Sequence, residues 1–474
     1  MSDSIASFVK AIKGDVVTPE NPDYAKSIAR WAKNAERKAK VVVHVKDAED
    51  VVKSIAYAKE HKLPIAIRGG GHNAAGASSI EDGLVIDLNR HLNHVRVDAE
   101  NKLGYVGGGA IWAQVDQEAI KYGLATVGGT VNHTGVAGLT LGGGYGWLSG
   151  RHGLTIDNLK QATIVTANGS ILTASDTENH DLFWAIRGGG SNFGVATELV
   201  YQLHPQRKTI FAGSAVYTPE KVEKLIELTK KWWDNVGEDE GMIQAVTATP
   251  DGKPIFLIIF FYNGSEEEGR AHYKEFFDVG PVVDTVSEIP YERLNSQLNA
   301  QVAHGRCYYL KGVSQVSPNY QATVELIQKV AGLAKEGVFR TAMLHEYFPM
   351  AKANSVPVSA TAFRRQGASN ILTSISWEED VGKTKEARDL AKELVDIVIR
   401  GQGNSLDDAE KSGYTNYGHE DIDVPSANLG SLSGDHAAKR ADLAYASNYP
   451  RLQEIKKTYD PENIFNRWYP ITPA

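Results

Sequence analysis

The sequence predicts an α+β protein of two or more domains, and three observations carry that expectation. Its 474 residues exceed what one ordinary hydrophobic core serves. Its 45 glycines are concentrated in a few nearly uncharged stretches of the first half, each beside a short strand-like run. After His204-Pro205 the glycines thin out, and long amphipathic helical patterns alternate with Ile- and Phe-rich strand patterns. Such a second half suits an antiparallel sheet covered on one face by helices. The change of texture divides the chain into residues 1–205, residues 206–410 and a polar, aromatic segment, residues 411–474.

Val41 to Val45 reads as a strand, and Asp47 to His61 as an amphipathic helix capped by Asp47. Leu63 to Ile67 is a buried strand running into Arg68-Gly69-Gly70-Gly71-His72-Asn73. Consecutive glycines let the backbone turn sharply and approach a ligand, and successive N–H groups in such a turn form an anion-binding hollow. The residues 22–40 read as helical and basic. Gly83 to Leu88 and Gly104 to Gly109 are further strand-and-turn units, and Ile111 to Tyr122 is a helix closed by Gly123.

The stretch Thr126 to Asn158 is long, glycine-dense and nearly uncharged. It cannot build a core from its own side chains, and it suits the laying of bare backbone along a large flat ligand. A hairpin follows over Ala162 to Thr173 with an Asn168-Gly169 turn. A third glycine turn, Arg187 to Gly194, leads into the strand Val195 to Leu203. In the second half, helices are expected over Thr218–Val236, Ser265–Val279, Asn319–Ala334 and Lys383–Ile399. Strands are expected over Lys253–Tyr262, Val338–Phe348 and Asn370–Trp377, and a last helix over Ala437–Tyr459.

Several classes fall away. A net charge of −8 argues against a phosphate-driven nucleic-acid binder. One cysteine, Cys307, allows neither an internal disulfide nor a cysteine zinc cluster, and no metal is expected. No apolar run is long enough to span a membrane, and the N-terminus lacks the pattern of a secretory signal, so a cytoplasmic or other intracellular protein is expected. None of the glycine turns has the G-x-G-x-x-G spacing of a nicotinamide-type crossover, and no P-loop or H-E-x-x-H is present.

Five motifs, in order, resemble those of the FAD-linked oxidases of the vanillyl-alcohol-oxidase superfamily, in the berberine-bridge-enzyme-like branch. They are Arg68 to Asn73; Gly135-Val-Ala-Gly138-Leu-Thr-Leu-Gly142-Gly143-Gly-Tyr145-Gly146; His152 to Asn158; Arg187 to Gly194; and Asp460-Pro461-Glu-Asn463-Ile-Phe465. The resemblance implies an FAD-binding domain of two α+β subdomains (the PCMH type), formed by residues 1–205 with 411–474 returning to it. It implies a substrate domain over residues 206–410. Cofactor contacts are then expected at Arg68, Gly69, Gly70, Gly71, His72, Asn73, Gly76, Thr134, Gly135, Gly138, Gly142, Gly143, Tyr145, Gly146, Asp157, Asn158, Val195 and Asn463.

In such relatives the His after the triple glycine is joined covalently to the flavin, which puts a tether at His72. A second tether through a Cys is common there; that position is Val131 here, so one covalent link is expected. The family's oxygen-access position falls on Thr134, whose size is close to the Val of oxygen-using relatives. The implied reaction moves a hydride from a small alcohol, amine or secondary metabolite to FAD, with dioxygen reoxidising it to give hydrogen peroxide. The alternatives are an oxygen-avoiding dehydrogenase of the same fold and a flavin-binding protein without turnover. A base must reach the substrate's O–H or N–H proton. Tyr417 is the first choice, Asn416 the second, and Glu346 or His345 on a middle-domain strand the next.

Overall fold

Three sheets carry the architecture of the computed structural model, which describes residues 3–249, 251–365, 367–378, 380–418 and 441–474. The first sheet has four strands in the order Asp15–Val17, Val41–His44, Leu84–Asp87, Ile65–Arg68. The last three run parallel, with Val41 and Ile65 both paired to Leu84. A parallel pair needs a crossover, and the helix Ala48–Glu60 supplies it. Asp47 caps that helix by accepting from the Asp50 N–H at 3.0 Å, as its sequence predicts. The strand Ile65–Arg68 delivers the triple glycine, and Arg68 is fixed at its exit by a 2.6 Å pair with buried Asp87.

The second sheet is antiparallel, in the order Val95–Asp98, Leu103–Gly107, Val195–Gln202, Leu159–Val165, Ile171–Ser175. The helices Trp112–Ala119, Val136–Leu141 and His180–Gly189 share one hydrophobic cluster with it. The C-terminal helix Tyr449–Tyr459 joins the same cluster. The final motif is pinned by buried charge. Lys456 Nζ donates to Asp460 at 2.6 Å, to the Asn192 carbonyl at 2.6 Å and to the Phe465 carbonyl at 2.8 Å. Asp460 in turn accepts from the Ile464 and Phe465 N–H groups. The chain end is thereby stitched to the third glycine turn.

The third sheet is antiparallel and follows the path Val283–Asp284, Thr209–Tyr217, Pro254–Tyr262, Glu240–Ala248, Arg340–Tyr347, Ser369–Trp377, Cys307–Gln315. Strand alternation gives it two different faces. One face, with Val313, Met343, Ile371 and Cys307, is buried under the helices Val222–Trp233, Tyr320–Glu336 and Thr384–Gln402. The other, with Ile243, Ile259 and Leu344, packs with Tyr145, Trp147 and Tyr414 from the flanking segments.

Several expectations change in detail. The residues 22–40 are not one helix but a short turn of helix, Tyr24–Ile28, and a single 3₁₀ turn, Lys33–Ala35. The segment is held instead by buried Trp31 and by Arg30, whose guanidinium donates to the Ser78 and Ser27 carbonyls. Val136–Leu141, expected as glycine-dense ligand-hugging backbone, forms a helix. The expected helix Ser265–Val279 breaks at Tyr273, whose fully buried ring and hydroxyl bond to the Phe261 carbonyl replace helical continuity. The glycine turn after Ile186 is a kink inside a helix, with Gly188 at φ +125°. Ala437 to Arg440, the expected start of the last helix, lies outside the described residues. No helix among the described residues is long and apolar enough to cross a membrane.

Candidate active site

A cavity of about 270 Å³ lies where the third sheet's open face meets the glycine turns. Its two walls differ in kind. One is main chain: Gly69, Gly70, Gly71, Gly108, Gly129, Gly135, Gly138, Gly190 and Gly194. At several of these positions close approach requires glycine. A Cβ on Gly70 would lie 2.4 Å from the Gly135 nitrogen, so the first glycine turn and the 130–135 loop touch backbone to backbone. The opposite wall is side chain: Leu310, Leu344, Leu372, Ser374 and Glu346 from three neighbouring strands, with Leu298 and Val302 beside them.

Glu346 is the one acidic side chain lining the cavity among the described residues, and no Lys or Arg lines it. The Tyr145 hydroxyl donates to its Oε2 at 2.5 Å and the Tyr417 hydroxyl to its Oε1 at 2.8 Å. Burial raises the Glu346 carboxyl to about 7, against the pull of those two donors. Tyr417 is held well above the ordinary phenol range by burial and by the neighbouring carboxylate, so it is a neutral donor at neutral pH. Tyr414 packs at 4.8 Å from Tyr145 and 5.1 Å from Tyr417, and its hydroxyl accepts from the Gly144 N–H at 2.8 Å. Asn416 lines the cavity too, but its Nδ2 is turned to the Leu139 carbonyl and the Tyr414 hydroxyl.

His72 opens on the cavity from the other side. Its ring stacks on Trp31 with centroids 4.1 Å apart, and Trp31 stacks on Tyr308 at 3.9 Å. His72 Nε2 lies 3.0 Å from His133 Nδ1, and the His133 ring lies 4.9 Å from that of His304. Burial, then His133 and His304, hold the His72 imidazole well below its ordinary range. Burial and His304 lower His133 to about 4, and burial lowers His304. All three rings are therefore neutral at pH 7, each with one N–H.

Residues 39–175 match the family model of an FAD binding domain, and residues 413–471 that of berberine and berberine-like proteins. The chain is 32% identical, over all of its own length and 96% of the other's, to the FAD-linked oxidoreductase pgmH of Aspergillus terreus. The chain belongs to the berberine-bridge-enzyme-like family of FAD-linked oxidoreductases. This oxidoreductase is also 28% identical, over its whole length and 99% of the relative's, to (R)-6-hydroxynicotine oxidase of Paenarthrobacter nicotinovorans. Among solved structures, 6-hydroxy-D-nicotine oxidase of Arthrobacter nicotinovorans superposes with a TM-score of 0.83 at 27% identity, covering 98% of both chains. Berberine bridge enzyme superposes at 0.84 with 21% identity, a likeness of fold.

The oxidoreductase's glycine wall fits FAD: it offers bare backbone without side chains in the way, beside aromatic Trp468 and Tyr145. Of the residues expected on the cofactor, Gly69, Gly70, Gly71, His72, Asn73, Thr134, Gly135, Gly138 and Tyr145 line the cavity. The others are not among its lining residues. Arg68 is bound to Asp87, and Gly142 is pressed against the Asn416 amide, where a Cβ would fall 2.1 Å from Oδ1. Gly143 packs on Phe363 and Gly146 on the Gly128 carbonyl. Asp157 is paired with Arg365, Asn158 donates to the His152 and Leu154 carbonyls, and Val195 is fully buried at a strand start. Gly76 donates to the Asn73 carbonyl, and Asn463 sits at φ +51° in the pinned C-terminal turn.

His345 leaves the site. It points to the helix-covered face, with Nδ1 3.0 Å from Gln315 Oε1. Sequence reading missed the leucine wall, Trp31 and His304. Leu344 and Glu346 share a face only by strand alternation, which the sequence of that strand hides; Trp31 and His304 carry no local signal.

Proposed function

We propose that this oxidoreductase oxidises a small, uncharged or cationic alcohol, amine or secondary metabolite with an apolar body. FAD, when bound, accepts the substrate hydride and passes two electrons to dioxygen, giving hydrogen peroxide. Residues 1–205 with 411–474 hold the cofactor, and residues 206–410 cover it and shape the substrate pocket. His72 is the single covalent anchor. Thr134, on the cavity lining, leaves dioxygen a path.

The observation that carries this reading is the buried carboxyl of Glu346 between two phenols. With its own proton directed to Glu346, the Tyr417 oxygen presents a lone pair to the cavity. A substrate O–H or N–H donates to it. As the substrate's C–H is broken, Tyr417 takes that proton and hands its own to Glu346, whose raised affinity suits a base working near neutral pH. Tyr145 holds the second carboxyl oxygen, and Asn416 positions Tyr414 rather than acting as the base. The leucine wall disfavours sugars, whose hydroxyls would be buried without partners. The lack of Lys or Arg on the described lining disfavours anions.

The test is an anaerobic screen of flavin bleaching over neutral alcohols, amines, sugars and carboxylates, followed by peroxide detection in air. Apolar alcohols or amines should bleach the flavin. Bleaching by sugars or acids alone contradicts the pocket reading. Bleaching without peroxide in air makes the protein a dehydrogenase.

A further inference from the structure

We infer that His133 is the positioning base that makes His72 nucleophilic, and that His304 lets the released proton out, so that the chain attaches its own cofactor. This rests on the reading that His72 is the covalent anchor.

Two neutral imidazoles 3.0 Å apart, nitrogen to nitrogen, share one hydrogen. If His72 Nε2 donates it, His72 Nδ1 keeps its lone pair for bonding, and His133 Nδ1 is the acceptor. The His133 hydrogen then sits on its Nε2. That nitrogen is buried without a hydrogen-bond partner among the described residues, beside His304. A fully satisfied loop histidine would not leave a buried ring nitrogen orphaned. Structural packing already has its own devices here. The Trp31 indole N–H donates to the Val302 carbonyl at 2.7 Å, and the Tyr308 hydroxyl to the Ala303 carbonyl at 2.7 Å. These fix the three-ring stack and the segment that carries His304, which is exposed to solvent.

Attachment forms a bond from His72 Nδ1 to the methyl carbon of the flavin ring, and breaks one C–H bond of that methyl and the Nε2–H bond of His72. His133 takes the imidazole proton and relays one outward past His304. The two electrons left on the ring system go to dioxygen, which with two protons becomes hydrogen peroxide.

The experiment uses the purified full chain incubated with FAD in air and precipitated in acid at intervals, reading the flavin that stays with the polypeptide. His133→Ala should still bind FAD but attach it about a hundredfold more slowly. Added imidazole should restore the rate, which a merely structural role would not allow. His133→Asn, which keeps an acceptor but cannot take a proton, should also be slow. His304→Gln, at an exposed position, gives a milder slowing and serves if the His133 variants do not fold. Equal attachment by the wild type, His133→Ala and His304→Gln overturns the inference and leaves the anchor standing. Flavin lost from the denatured wild type overturns anchor and inference together.

Discussion

The two walls of the cavity are built by opposite means. The glycine wall bares backbone, the proposed seat of a flat cofactor; the sheet wall presents side chains, the proposed grip on a substrate. On the first, Gly69, Gly70, Gly108, Gly135 and Gly194 are held against other main chain. On the second, one carboxyl is set in leucine, and the Tyr417 phenol reaches it from the C-terminal segment. Substitutions on the first wall should cost the cofactor, and on the second the reaction while the cofactor stays.

The largest effect should come from the sheet wall. Glu346→Gln keeps the shape and loses the proton acceptor, and should lower the rate of flavin reduction by roughly 10²- to 10⁴-fold. Tyr417→Phe should do the same, with bound FAD unchanged by absorbance in both. Because the base must be ionised, wild-type kcat/KM should rise with pH up to about 7 and then level off, and Glu346→Gln should lose that rise. Next is the glycine wall. Gly70→Val places side-chain carbon inside the Gly135 backbone and should yield a chain that no longer retains FAD, with overpacking costing about 1–3 kcal/mol in a denaturant titration. At the seam between the walls, Thr134→Leu should slow reoxidation by dioxygen while leaving anaerobic reduction by substrate unchanged, as stopped-flow traces would separate.

The smallest effect should come from outside the site. Asp116 is a second buried carboxyl raised to about 7 by burial, but its partner is Asn295, at 2.9 Å, and it does not line the cavity. Its folded-state affinity for a proton exceeds that of the unfolded chain, so the stability it contributes is full below about pH 4 and falls as pH rises towards 7. Asp116→Asn should reduce the pH slope of thermal stability over that window and leave turnover alone. A raised carboxyl thus marks burial; the role proposed for Glu346 rests on its two phenol partners and its place on the cavity lining.

The same contrast decides what the sequence reveals. The glycine wall is legible because each turn is contiguous: Arg68 to Asn73 and Gly135 to Gly146 can be read as strings, and the family follows from them. Tyr145 was legible as a motif residue, but not as the partner of Glu346, which is 201 positions away. The sheet wall comes from alternate residues on strands paired far apart, such as Leu344 opposite Leu372. The expected helix over residues 22–40 failed for a related reason. Its composition suits a helix, but Arg30 and Trp31 are held by distant carbonyls at Ser78 and Val302.

The central claim is that Glu346, through Tyr417, receives the substrate's proton opposite a glycine-cradled flavin. Anaerobic stopped-flow bleaching of the flavin by the best alcohol or amine of the screen, from pH 5 to 9, tests it in the wild type and in Glu346→Gln. With Glu346 as the proton acceptor, the wild-type rate should climb to a plateau near pH 7 and the variant should show a slow, flat profile. Matching rates and profiles in the two proteins would contradict it.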